Sequence, residues 1–333
     1  MSPKVSILVP IYGVEKFIER CAISLFEQTF DNLEYIFVND QTKDKSIKIL
    51  ENIIERYPNR KESIKIINHE INKGLAGARN TAVSNASGDY ILHVDSDDYL
   101  ELNTIDLLYN KAISEGADIV TCDFLLEWNK TSKIAVQNIG NDKISFLQLM
   151  LSASTMVGLV NKLIKRSIYI DNNIFAIEDI NLGEDFVTTP RLVYFSNKIA
   201  KVSLPLYHYI QTNSNSYSKN LNKKNINDVL FVLNYLEDFF KNKSDYDLYR
   251  ESILKGKLKK KIELVSFADN KYVNDLIKEF PETNRIENLT FLSKKEEIIF
   301  ELIKKDQLFL LTYFIKANSS VFNLVQKLKG RKR

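Results

Sequence analysis

Acidic residues gather where apolar strand patterns stop. Asp40 closes the run IFVND, and Asp95, Asp97 and Asp98 follow directly on Tyr90–Val94 in YILHVDSDDYL. Aspartate is a poor strand former, so its repeated placement there needs a reason beyond propensity. Carboxylates that converge on one rim repel each other unless a cation or hydrogen-bond donors compensate. In Asp95-Ser96-Asp97 the i, i+2 spacing lets two side chains point to one side of an extended or tightly turning segment. One can hold a divalent cation while the other accepts from a sugar hydroxyl, and hard oxygen ligands favour Mg²⁺ or Mn²⁺ over zinc. The competing role is a solvated acidic turn capping the helix expected over Asn103–Glu115. An EF-hand loop is excluded: Leu100 stands in the place of the required glycine and Tyr99 in that of a ligand.

A second chemical segment is Asn72–Ala82, NKGLAGARNTA. Gly74 and Gly77 permit a tight turn, and Ala76, Ala78 and Ala82 let the following helix pack closely on a strand. Arg79 then lies early in that helix, aimed at an anion or a base edge, or else paired with a nearby glutamate at the surface. Neither a P-loop nor a G-x-G-x-x-G fingerprint is present. Cys21 and Cys122 are too few for a disulfide framework or a four-ligand zinc site, and His69, His93 and His208 lack ligand spacing.

The elements that must position these residues alternate in type. Val5–Pro10, Leu33–Asn39, Ile64–Ile67, Tyr90–Val94 and Asp118–Cys122 read as strands. Helical periodicity falls between them over Val14–Thr29, Ile47–Tyr57, Ala76–Ala86 and Asn103–Glu115. This rhythm predicts an α/β fold, a mostly parallel Rossmann-like sheet with helices on both faces, whose ligands bind outside the carboxyl ends of the strands. The polar stretch Asn213–Asn227 marks a boundary, giving a domain over 1–215 and a helical, basic region over 216–333. The 333 residues carry a net charge of +3, which divides into −4 for residues 1–220 and +7 for the remainder. An apolar composition of 44% rules out global disorder. The first residues are too short an apolar run for a signal peptide, and no stretch reaches the length of a membrane span, so a cytoplasmic protein is expected.

Taken together and in this order, VSILVPIYG, YIFVNDQTKDKS, NKGLAGARNTA, GDYILHVDSDDYL and GEDFVTTPRLVYFSNKIAKV resemble glycosyltransferase family 2, inverting sugar transferases of the GT-A fold. The resemblance covers roughly residues 3–210. It implies that Pro10, Ile11 and Tyr12 cradle a nucleotide base, that Asp40 hydrogen-bonds it, and that Arg79 and Asn80 lie beside the nucleotide. Asp95 and Ser96 fall near ribose and metal, and Asp97 is the direct ligand of Mn²⁺ or Mg²⁺. Glu184-Asp185 matches the family's acidic pair, with Asp185 as general base and Glu184 binding hydroxyls. The same two residues also suit the start of a helix, where acids are favoured. The chain departs from the family at Gly13, where an asparagine is usual, and at Asp40-Gln-Thr-Lys-Asp44, where D-G-S-T-D is usual.

The implied reaction moves a hexose or N-acetylhexosamine from a nucleotide diphosphate sugar, UDP-linked, to a saccharide or lipid-linked acceptor. The rivals are a metal-dependent nucleotidyltransferase and a catalytically silent nucleotide-sugar-binding protein. Trp128 is a candidate acceptor platform or a packing residue, and His208 a metal or phosphate contact or a cleft residue. The lysines at 255–261, Leu308–Ile315, Val321–Leu328 and Lys329–Arg333 suit either an anionic membrane surface at the inner face of the cytoplasmic membrane or a solvated helical bundle. Nucleic-acid binding is not expected, since no recognised module accompanies the basic residues.

Overall fold

A computed structural model describes residues 3–180, 182–213 and 222–317. The first half alternates β1 (Val5–Ile11), α1 (Ile18–Phe26), β2 (Leu33–Asn39), α2 (Ser46–Ile54), β3 (Ile64–Asn68), α3 (Gly74–Asn85) and β4 (Tyr90–His93). A two-residue β5 (Tyr99–Leu100), α4 (Thr104–Glu115), β6 (Ile119–Glu127), β7 (Ser132–Ala135) and α5 (Lys143–Leu151) follow. Next come β8 (Lys162–Lys165), α6 (Arg166–Asp171), α7 (Glu184–Phe195) and β9 (Ile199–Ile210). The rest is helical: α8 (Lys223–Lys241), α9 (Arg250–Phe267), α10 (Asn270–Leu276), α11 (Lys294–Lys304) and a further helical stretch over 308–317.

One sheet orders its strands β3-β2-β1-β4-β8-β6-β9-β5, with β7 paired to β6. The α/β, GT-A-like architecture expected from the sequence is present. Its sheet is mixed: β1, β2, β3, β4, β6 and β9 run one way, while β5, β7 and β8 run against them. The β1 strand is buried along its whole length, as a central parallel strand covered on both faces must be. One apolar cluster joins this sheet to α1, α2 and α4. On the opposite face a second cluster joins it to α3, α5, α7, α8 and the start of α9. The helical region from α8 onward therefore continues the main core, and a third cluster joins α9, α10 and α11 beyond it.

The sheet parts where ligands are expected. Pairing of β1 with β4 stops at Leu8 and His93, whereas β1 stays paired with β2 as far as Ile11 and Asn39. Pro10 thus sits where one neighbour has turned away and its missing N–H removes no ladder bond on that side. The crevice between the diverging ends of β1 and β4 is the switch point at which chain connections depart in opposite directions.

Much of the lysine run is engaged within the helical region itself. Lys257 is buried between Glu237 and Glu282, and Lys261 is buried as well. Lys255 and Lys260 pair with Glu251 and Glu263 of their own helix. These residues stitch a bundle instead of presenting one cationic face. Val321–Leu328 and Lys329–Arg333 lie outside the described residues, as does most of Asn213–Asn227. Among the described residues no helix is long and apolar enough to cross a membrane.

Candidate active site

A cleft of about 1030 Å³ opens at the carboxyl ends of the strands. Pro10, Ile11 and Tyr12 form one end, with Tyr12 52% exposed and its ring available to a planar ligand. Asp40 lines the same end and is buried. Its Oδ1 accepts from the Lys73 backbone N–H at 2.8 Å and lies 2.7 Å from His69 Nδ1. The far ring nitrogen of His69 lies 2.8 Å from Thr81 Oγ1. The histidine that follows β3 therefore fixes the aspartate that follows β2, a pairing absent from the sequence reading. Its signal was positional: Asn39 and Asn68 are register partners, so the residues after them are neighbours too.

Asp95, Ser96 and Asp97 line the middle of the cleft. Asp98 does not: it is fully buried and braces the loop. Its carboxyl accepts from Tyr207 Oη and from the Ile210 N–H, both at 2.8 Å, while Tyr207 Oη itself accepts from the Asp95 N–H at 3.1 Å. Burial and the adjacent acids push the Asp98 carboxyl well above its usual range. Asp97 Oδ2 accepts from Asn213 Nδ2 at 2.9 Å.

Arg79 is neither a surface residue nor one with its guanidinium free to meet an anion. It is 2% exposed and sits among three carboxylates. Its Nη2 donates to Asp95 at 2.9 Å, and its Nη1 to Glu184 at 2.9 Å and to Asp185. Burial alone would lower its pKa, but the three acids outweigh it and the shift is upward. Helix α3 aims Arg79 at the rim, and α7 brings the acids: Gly183 precedes them with φ of 99°, a conformation that side chains other than glycine rarely adopt. Burial, then the adjacent Asp185, raises Glu184 to about 7 against the pull of Arg79. Asp185, about a quarter exposed, is raised as well, by burial first. Beneath them His93 is buried and held neutral, its pKa lowered to about 3 by burial and by the Arg79 charge.

Asn80 faces elsewhere. Its amide donates to the Ala176 carbonyl at 2.9 Å and accepts from the Ala176 N–H at 2.8 Å, so it braces the approach to α7 and stays outside the cleft wall. His208 is likewise structural, stacked on Tyr99 and bonded to Glu127 and Glu101. Trp128 sits 44% exposed just beyond β6 and is not part of the cleft lining. Asp44 braces the start of α2, taking bonds from Thr42, from Ser46 and from the Glu15 N–H, while Gln41 adopts the left-handed backbone with φ of 59°. The cleft's far wall comes from the helical region, with Val229, Val232, Leu233, Leu264 and Phe267.

Residues 6–169 match the family model for glycosyl transferase family 2. The glycosyltransferase EpsH of Bacillus subtilis is 31% identical over 215 residues, a match covering 62% of this chain and 61% of that protein. Residues 6–169 are thus a glycosyltransferase family 2 domain. Its fold is similar to the crystal structure of S. aureus TarS 1-349 in complex with UDP-GlcNAc, with a TM-score of 0.73 at 17% identity over 95% of this chain and 92% of that one. A looser likeness, TM-score 0.56 at 14% identity, links it to the mannosyltransferase PcManGT from Pyrobaculum calidifontis in complex with GDP-Man and Mn2+, covering 98% of this chain and 88% of that one. Asp95, Glu184 and Asp185 are thus gathered on one cleft around the buried Arg79.

Proposed function

We propose that the protein is an inverting glycosyltransferase. It transfers a hexose or N-acetylhexosamine from a UDP-linked donor to a saccharide or lipid-linked acceptor, with Asp185 as general base. The observation that carries this reading is the placement of Asp97 and Asp185 on one cleft whose end is formed by Tyr12 and Asp40. A base stacking on Tyr12 with its edge toward Asp40 would direct the diphosphate along the cleft toward Asp97. The GDP-Man-bound relative holds Mn2+. Asp97 offers the hard oxygen such an ion prefers. Among the described residues no group of three acids, histidines or cysteines is placed to hold an ion, so phosphate oxygens and water would have to complete its coordination. When bound, such a cation would supply positive charge to the diphosphate as it leaves.

The chain's own residues supply the remainder. Asp185 takes the proton of the acceptor hydroxyl, and its raised pKa places it nearer working pH than an ordinary aspartate. Glu184, shifted to about 7, can donate to or accept from a sugar hydroxyl. Arg79 fixes both acids and Asp95 relative to one another, so donor-side and acceptor-side groups share one reference point. Residues 1–215 act as the donor-binding unit, and the helices after residue 216 complete the acceptor side.

The test is a thermal-shift panel of UDP-, GDP- and dTDP-sugars and nucleoside triphosphates, each with and without Mn²⁺. A UDP-sugar should stabilise best, Asp97→Ala should abolish the Mn²⁺-dependent part, and Asp185→Asn should bind the donor yet lose transfer. Best stabilisation by a nucleoside triphosphate would move the assignment to nucleotidyl transfer. Substantial turnover in Asp185→Asn would remove that residue as the base.

A further inference from the structure

Lys162 opens β8 and is fully buried, and among the described residues it forms no ion pair. Its Nζ donates to the Gly158 carbonyl at 2.6 Å and to Asn161 Oδ1 at 2.7 Å. Asn161, also fully buried, is held in turn: its amide nitrogen donates to the Cys122 carbonyl at 2.6 Å and to Thr121 Oγ1 at 3.0 Å. The acceptor oxygen is thereby aimed at the ammonium. A buried lysine without a carboxylate partner is costly, and nothing in apolar packing calls for one here.

The turn that Lys162 grips touches Asp185. The Leu159 N–H donates to the Asp185 carboxylate. A methyl added at Gly158 would stand 3.7 Å from Asp185 Oδ2. We propose that Lys162 is a positioning residue for Asp185: its ammonium locks the 158–159 turn that holds the carboxylate, and its charge is the second cation, after Arg79, that keeps the carboxylate ionised. This deepens the reading of Asp185 as the base, and its catalytic consequence rests on that reading. The groups facing Asp185 are Arg79 from α3, Asp95 from the β4–β5 loop, Glu184 from its own helix, and Tyr169, Tyr209 and Lys162. Lys162 itself faces Asp185 and Cys122. Burial lowers the lysine to about 7 and Asp185 pulls it back up. Reciprocally, the lysine lowers Asp185 against the burial and the Asp95 charge that raise it.

The deciding experiment is a ¹³C NMR titration of the full chain labelled at the aspartate carboxyls, in which the resonance missing from Asp185→Asn identifies Asp185. In Lys162→Met its midpoint should rise by about 1 pH unit, the size expected for losing one nearby opposite charge. Lys162→Gln keeps a donor for Gly158 without the charge and should also raise it. Unchanged midpoints in the variants that fold overturn the proposal. The acid limb of kcat for UDP release from UDP-GlcNAc should move with the midpoint while the donor KM stays constant. If Asp185→Asn keeps full turnover, the base assignment fails, but the NMR shift still decides whether Lys162 governs this carboxylate.

Discussion

Replacing Arg79 with methionine tests the centre of the site most directly. The guanidinium is 2% exposed and bonded to three carboxylates, so its removal leaves one buried and two partly exposed acids clustered without their counter-charge. Removing one partner of a buried ion pair costs about 3–5 kcal/mol, because the other is left uncompensated. For a domain of this size that corresponds to a fall in Tm of about 6–20 °C. The pH dependence carries the argument further. Glu184 is already raised to about 7 by burial and Asp185, with Arg79 pulling it down, so without Arg79 it and Asp185 rise further. A carboxyl whose folded pKa lies above its unfolded value binds more protons in the folded state, so stability falls as pH rises through that window. The variant should therefore lose least relative to wild type near pH 5 and most near pH 8. The triple variant Arg79→Met, Glu184→Gln, Asp185→Asn should recover much of the loss, since it removes the stranded charges together with their partner. Circular dichroism melts at pH 5 and pH 8 provide the measurement. A loss below about 1 kcal/mol, or the same loss at both pH values, would refute a closed cluster.

Asp98→Ala should destabilise by about 2–5 kcal/mol in urea unfolding, since it strands both the Tyr207 hydroxyl and the Ile210 N–H, whereas Tyr207→Phe should cost about 1–3 kcal/mol. Comparable stability in Asp98→Ala and wild type would deny the bracing role. Tyr12→Ala should weaken UDP binding in the presence of Mn²⁺ by about 5- to 100-fold in calorimetry, with stability changed by less than about 0.5 kcal/mol, because the ring is half exposed and its proposed role is to stack on the base. Unaltered affinity would place the base elsewhere.

Much of the frame was legible because a buried parallel strand writes an unbroken apolar run, and an acid at its end announces the rim. Asp40, Asp95 and Asp97 were found in this way and line the cleft. What remained hidden depends on neighbours distant in sequence. Arg79 was read as facing an anion or surface glutamate, yet two of its partners lie 105 and 106 residues away on α7. Asp98 looks like Asp97 in sequence, and only alternation within a tight loop sends one to the core and the other to the cleft. Lys162 escaped because the search followed the carboxyl ends of strands, and β8 runs backwards: its pairing of Leu163 with Leu92 brings its amino end to the same rim. The lysines of α9 were read as one surface group, but helical spacing turns Lys257 and Lys261 into the bundle.

The charge inventory of the rim argues for the order in which the proposed reaction assembles. Asp40, Asp95, Asp97, Glu184, Asp185 and Glu263 face the cleft, against Arg79 and a Lys260 that is paired with Glu263, with Lys162 close behind them. Arg79 is already engaged by three acids, and Lys162 is buried behind the turn at Gly158. A diphosphate entering alone would meet net negative charge in a partly desolvated cleft, where like charges are poorly screened. A divalent cation entering alone would meet Asp97 and, among the described residues, no group of three acids, histidines or cysteines placed to hold it. Each supplies what the other lacks, so UDP and Mn²⁺ should stabilise the protein together by more than the sum of their separate shifts. Additive shifts would mean that the diphosphate is neutralised by other groups, and that Asp97 serves the loop alone.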